Sequence, residues 1–388
     1  MNELHTQQVT QVPLLDVNRG NQLDAQAIQD AIKGVTDSGR FLFGPDCQKL
    51  EESIAELCYV EHAVGCASGS DALLLALMAL KIGSGDEVVV PSFTFFATAS
   101  AVTRLGARPV FVDIDCQTFN MDAACLREVI TPATKAVIPV HLFGQCAEME
   151  EICAIAAEHD LHVIEDAAQA IGARYHGRPV GSWGDVGCFS FYPTKNLGGF
   201  GDGGMLVTRY SSLADELRLL ACHGMRPRYY HSVVGINSRL DSVQAAVLRV
   251  KLERLAEATI KRQANAQRYR ELFESAELAD AILLPQAGDQ MDHVWNQYTI
   301  RVPNGHRDAL RSYLTEQQVG SEIYYPIPLH MQECFQRLGH LPGDLPNTEL
   351  AASQVLSLPI FPELETAEQE FVVAAVSRFF AMEQAAAA

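Results

Sequence analysis

The chain predicts an α/β protein built on a mainly parallel sheet between layers of helix. Two observations support this. Short β-rich runs alternate with helical runs from about residue 61 to residue 208, the pattern that a sheet covered on both faces requires. Beyond residue 213 the texture changes, with Leu240, Val243, Val247 and Val250 recurring at steps of three and four as on an amphipathic helix.

Taken in order, residues 72–80 predict a buried helix, 87–90 a strand and 94–105 a helix. Strands follow at 109–113 and 136–140, then a helix at 149–159 and a strand at 162–165. Residues 187–191 and 204–208 read as strands joined by a glycine-rich turn at one side of the sheet. The helix opening near Leu240 is expected to run to about Leu272 and connect two domains. The last hundred residues read as α+β, with strands at 294–302 and 320–325 around a helix at 307–318. The expected division is a large domain over 1–250 and a smaller C-terminal one over 251–388. No repeat stands at solenoid periods, and residues 385–388 read as a frayed end or an added tail.

Composition narrows the function. Of 388 residues, 29 are Lys or Arg and 48 Asp or Glu, for a net charge of −19. That balance argues against nucleic acid and anionic membrane, but not against a small anion held in a local basic pocket. The ten cysteines include no C-x-x-C pair, which removes zinc-knuckle and thioredoxin-type readings and suits reduced thiols in a cytosolic protein. The first eleven residues lack the apolar core of a signal peptide. The longest apolar run, 72–80, is about half of what a bilayer needs. The expectation is a soluble, cytoplasmic protein.

Three features carry chemistry. Residues 65–71 (GCASGSD) precede a helix, where small residues and the helix dipole suit an anion; a plain N-cap explains them as well. The strand at 162–165 delivers Asp166 and Gln169 to a strand end, where ligands of open α/β sheets bind; a helix cap or ion pair is the alternative. Lys195 lies among apolar and small residues in 190–199 (SFYPTKNLGG), where desolvation lowers an amine's pKa as imine formation requires. Residues 199–204 match G-x-G-x-x-G but lead into a strand instead of opening a helix, so no dinucleotide site is expected. No P-loop or G-x-S-x-G elbow occurs. Cys222 and His223 are read as structural neighbours.

An anion cradle, a strand-end acid and a pocket lysine together are what pyridoxal 5'-phosphate needs: phosphate held, ring nitrogen paired, aldehyde bound. On that reading Asp166 keeps the pyridine nitrogen protonated. Lys195, once released, moves a proton between substrate and cofactor carbons.

The sequence resembles the sugar aminotransferases of the DegT/DnrJ/EryC1/StrS family, within the fold-type I pyridoxal phosphate enzymes. The likeness runs from residue 12 to residue 359. It is strongest at 65–77 (GCASGSDALLLAL), 91–102 (PSFTFFATASAV), 138–149 (IPVHLFGQCAEM), 163–173 (VIEDAAQAIGA), 188–204 (CFSFYPTKNLGGFGDGG) and 235–248 (GINSRLDSVQAAVL).

The resemblance implies that Lys195 binds the cofactor aldehyde and Asp166 pairs with the ring nitrogen. Gln169 would contact the phenolic oxygen, and Gly69, Ser70 and Ser190 the phosphate. Phe95 would stack on the ring, although core packing explains it unaided. Asn237 would reach the phosphate of a neighbouring subunit in a homodimer with shared sites; unaided it reads as a turn residue. His141 is expected to be a satisfied structural histidine.

The family mostly aminates nucleotide-linked keto sugars, usually from L-glutamate. The run from Asn237 to Asp241, followed by Gln244, looks more like members acting at sugar C3, on a dTDP or UDP sugar, than at C4. Arg226, Arg228, Tyr229 and Tyr230 form a basic, aromatic patch suited to diphosphate or carboxylate, or else a surface loop. Tyr325 and His330 resemble sugar contacts. Dehydratases of the family carry histidine where Lys195 stands, so lysine favours transamination. A cofactor-binding regulator without turnover is the alternative from another class.

Overall fold

The computed structural model describes residues 9–387; the polar chain start up to residue 8 and Ala388 lie outside them. A seven-stranded sheet forms the first part. In space its strands run His62–Cys66, Gly204–Thr208, Val186–Ser190, His162–Asp166, Thr134–Val137, Glu87–Pro91 and Arg108–Val112. All are parallel except Gly204–Thr208, which is antiparallel to both neighbours. The hairpin-like return expected after the glycine-rich turn is therefore present, inserted one strand from the edge.

Helices cover both faces, as near-continuous apolar strands such as Val88, Val89 and Val90, all 0% exposed, demand. One apolar cluster gathers Leu50, Ile54, Ile152, Ile155 and Leu248. The other gathers Leu73, Leu77, Val102 and Leu217. A third core unites Tyr269, Phe273, Tyr298, Leu310, Leu356 and Val376 with Phe93 and Phe143 from the first part of the chain.

The single helix expected to reach Leu272 is two, Ser242–Leu252 and Leu255–Ser275. They serve different cores: Ala245 and Leu248 enter the sheet cluster, while Ala266, Tyr269 and Phe273 enter the third. The chain redirects between them, where Arg254 pairs with Asp24 at 3.2 Å.

The strand expected over 294–302 shortens to Tyr298–Arg301, paired with Val355–Leu358. Before it Trp295 has φ +48°, and the backbone of 294–297 bonds to Phe143 and Gly144 instead of a ladder. Residues 320–325 form no strand. They are pinned by Gly320 N–H on the Val12 carbonyl and by a bridge between Glu322 and Ser357, with Pro326 and Pro328 next in the chain. Residues 385–387, expected to fray, continue the final helix Thr366–Ala387. All ten cysteines are free. No helix among the described residues is long and apolar enough to cross a membrane, and no His/Cys/Asp/Glu cluster among them could hold a metal.

Candidate active site

The parallel strands His162–Asp166 and Val186–Ser190 end side by side, so Asp166 and Ser190 emerge at the same edge of the sheet. The helix Gly69–Ala79 starts beside them. A Cβ on Gly69 would come within 2.7 Å of the Ser190 Cβ, so only glycine lets helix start and strand end meet this closely. Gly204 pairs with Cys66 on one side and Ser190 on the other. A Cβ there would lie 2.4 Å from the Ser68 carbonyl oxygen.

The cap of this helix is Ser68, whose Oγ accepts from the Asp71 N–H at 3.1 Å. Cap and cradle therefore coexist: the N–H groups of Gly69 and Ser70 have no partner among the described residues. With the helix dipole and the Ser190 hydroxyl beside them they make an anion site.

Glu165 and Asp166 are consecutive and both buried, yet only one is fully bonded. Glu165 accepts from the N–H groups of Gly181, Trp183 and Gly184 at 2.7–2.8 Å and bonds His141 Nε2 at 3.0 Å. His141 Nδ1 accepts from the Ala147 N–H, so its proton sits on Nε2 and points at Glu165. His141 is structural, as the sequence reading has it. Among the described residues the Asp166 carboxylate accepts only from the Thr98 hydroxyl at 2.8 Å and the Ala168 N–H at 3.3 Å. Burial raises its pKa, against the opposing pull of those bonds and of the Lys195 charge. A buried carboxylate this thinly bonded is completed by a cationic partner, and a protonated ring nitrogen supplies one.

Lys195 sits in a tight loop, its N–H on the Tyr192 carbonyl and the Gly199 N–H on the Phe191 carbonyl, both at 2.8 Å. Its side chain has no hydrogen-bond or ion-pair partner among the described residues and is partly open to solvent. Burial of the amine lowers its pKa to about 8, with the Asp166 charge pulling the other way. Near neutrality an appreciable fraction is the free-base nucleophile.

Gln169 is oriented by its Oε1, which accepts from the Phe143 N–H at 2.7 Å; its Nε2 donates to the Tyr325 hydroxyl at 3.3 Å. Tyr325 also lies 6.2 Å from the exposed Phe95 ring, centroid to centroid. Phe95 is 57% exposed, so its expected place is an open aromatic face and not the core. The residues present fit pyridoxal phosphate: an anion cradle, an under-bonded buried acid, a free amine and an oriented amide stand on adjoining strand ends and loops.

Other expected residues fall outside this group. His330 is 1% exposed, with Nδ1 bonded to the Ser92 hydroxyl at 2.7 Å and Nε2 to Glu349 at 3.3 Å. It is a buried structural histidine and not a sugar contact, because both ring nitrogens are spent inside the protein. Arg228 and Tyr230 stand on an exposed loop, where the Arg228 guanidinium lies 4.8 Å over the Tyr229 ring. Asn237 is exposed, one residue before Ser238, whose hydroxyl accepts from the Ala67 N–H at 3.0 Å. Thr98, which holds Asp166, went unread in the sequence because nothing local marks it.

The pleiotropic regulatory protein of Geobacillus stearothermophilus is 48% identical over 369 residues, 95% of this chain and 98% of that protein. The UDP-N-acetyl-3-dehydro-alpha-D-glucosamine 3-aminotransferase of Acidithiobacillus ferrooxidans is 46% identical over 371 residues, 96% and 98% of the two. The crystal structure of S. venezuelae DesV in complex with a ketimine intermediate superposes with a TM-score of 0.91 at 43% identity, covering 96% of this chain and 99% of that one. A family model matches residues 22–377, and so the chain belongs to the DegT/DnrJ/EryC1/StrS aminotransferase family.

Proposed function

We propose that the chain is a pyridoxal phosphate-dependent aminotransferase that places an amino group on a nucleotide-linked keto sugar, at C3 of a dTDP or UDP sugar, with L-glutamate as donor. The observation that carries the reading is the free, low-pKa amine of Lys195 beside the under-bonded Asp166. The cofactor, when bound, supplies an aldehyde that takes up the amino group and a ring that withdraws electrons.

The chain's residues do the rest. Gly69, Ser70 and Ser190 bind the phosphate, and Asp166 holds a proton on the ring nitrogen. Gln169 orients the ring through its Nε2, Phe95 covers one ring face, and Lys195 moves the proton between substrate and cofactor carbons. The 46% identical relative named as a 3-aminotransferase supports the sugar position, as does the chain's own Asn237–Asp241 stretch.

The proposal extends to a cytoplasmic homodimer in which Asn237 serves the partner's phosphate and Arg228 and Tyr230 meet the nucleotide sugar, with Tyr325 at the sugar. It takes residues 1–250 as the cofactor-binding part and 251–388 as the part closing the cleft. Its test is optical. The cofactor band is expected to disappear on addition of L-glutamate and return with a UDP- or dTDP-linked 3-keto sugar. No response to any amino donor overturns it.

The name of the 48% identical relative favours a second reading, a regulator that binds the cofactor without turnover. Turnover by the wild type, with a loss on the order of 10⁴-fold or more in Lys195→Ala, eliminates that reading.

A further inference from the structure

The loop bearing Lys195 is tied to the C-terminal part of the chain by its next residue. Asn196 donates through Nδ2 to the Val294 carbonyl and accepts at Oδ1 from Asn296 Nδ2, both at 3.0 Å. Within the loop, bonds from Lys195 to Tyr192 and from Gly199 to Phe191 fix its internal shape, and Lys251 on the Gly198 carbonyl anchors its far end to the helix Ser242–Leu252. The Asn196 pair anchors the end that carries Lys195.

Asn296 itself is 7% exposed, and its Oδ1 has no partner among the described residues, so its place is held by the bonds of its Nδ2 and backbone. Its backbone N–H donates to the Phe143 carbonyl at 2.9 Å, while the Phe143 N–H donates to Gln169 at 2.7 Å. Phe143 lies at φ +57°. The adjoining Gly144 lies at φ +103°, with a Cβ there only 2.9–3.0 Å from Val294, Trp295 and Asn296. One residue, Phe143, held in a conformation with no slack, is therefore bonded through its N–H to Gln169 and through its carbonyl to Asn296, the side-chain partner of Asn196.

We propose that Asn196 and Asn296 are a positioning pair which, through Phe143, sets the separation between the Lys195 amine and the Gln169 amide. Neither touches the reacting atoms; they act through Lys195. The inference concerns the proposed active site, but its test needs no turnover.

In cofactor-free protein, acylation of Lys195 by acetic anhydride is followed against pH by peptide mass mapping, which reads the midpoint of its titration. Asn196→Ala and Asn296→Ala are each expected to raise that midpoint by about one pH unit, because a loosened loop lets water reach the amine. The double variant is expected to go no further than the larger single change, since one link is cut in each case. In the loaded enzyme the same variants lower kcat about tenfold with KM for the keto sugar unchanged.

A purely structural role moves the thermal midpoint and leaves the Lys195 titration alone. Should Asn296→Ala fail to fold, Asn296→Ser makes a smaller change and is read in the same way. A midpoint unmoved in the folded single variants, a shift in only one of them, or a double shift equal to their sum overturns the proposal. A labelling shift without any sugar turnover overturns the proposed activity and leaves the pair standing.

Discussion

At the strand ends, Asp166 is 5% exposed and Gln169 8%, each held by bonds from other elements. In the loop of residues 222–236, Tyr229 is 74% exposed, Tyr230 70% and Val234 91%. That loop is closed mostly on itself, through Arg226 N–H to the Tyr230 carbonyl and Ser232 N–H to the Gly224 carbonyl. The strand-end groups are held by bonds within the protein, which is what preorganised electrostatics requires. The loop presents apolar and aromatic surface that a single chain does not cover, so its energetics depend on what docks there. The proposed chemistry and the proposed recognition thereby fall on a bonded and an exposed part of the chain.

That contrast can be broken by substitution. The largest effect is expected at the rigid end. Asp166→Asn should lower kcat on the order of 10²–10³-fold, yet stabilise the cofactor-free protein by about 1 kcal/mol, because a neutral amide escapes the burial penalty. The sign follows from the raised pKa. A carboxylate held above its unfolded value opposes folding once ionised, so the penalty grows as pH rises through the carboxylate range and vanishes well below it. Thermal melts against pH for the two proteins should therefore converge in acid. A destabilised Asn variant at neutral pH contradicts this account of the floor.

The next effect is one of pH. Lys195 reacts as the free base, and its midpoint is about 8. Cofactor uptake by the apo-protein should therefore rise about tenfold per pH unit below that point and level off above it. Stopped-flow absorbance measures the profile. A midpoint near the ordinary lysine value contradicts the burial argument.

The smallest effect belongs to the loop. Arg228→Ala and Tyr230→Ala should raise KM for the nucleotide sugar about tenfold, with the thermal midpoint and cofactor band unchanged, as exposed positions contribute less than about 0.5 kcal/mol to folding. Loss of cofactor binding in either variant places the loop in the floor instead.

The sequence foretold what depends on local pattern. Strand and helix alternation located six of the seven strands of the large sheet, missing His62–Cys66, and the decoy at 199–204 was rejected because a strand, Gly204–Thr208, follows it. The candidates Lys195, Asp166 and Gln169 were chosen where motif and strand end coincide, and the structure places Asp166 at the end of the strand His162–Asp166. Contacts between distant parts of the chain were not readable. Asn196 meets Asn296 a hundred residues away, and Ser92 meets His330 over 238. No periodicity records such a meeting, so His330 passed for a sugar contact and Asn296 went unread. The break in the long helix was hidden for the same reason: which core a helix face enters is a property of the whole fold.

The close approach at Gly204 has a practical consequence. The width of the anion cradle is set by a strand backbone wedged between Cys66 and Ser190 and pressed on the Ser68 carbonyl. Re-engineering the chain for a larger or smaller anion by exchanging Ser70 or Ser190 changes the bonding but not the gauge of the opening. Altering the gauge means shifting a strand that is bonded on both sides.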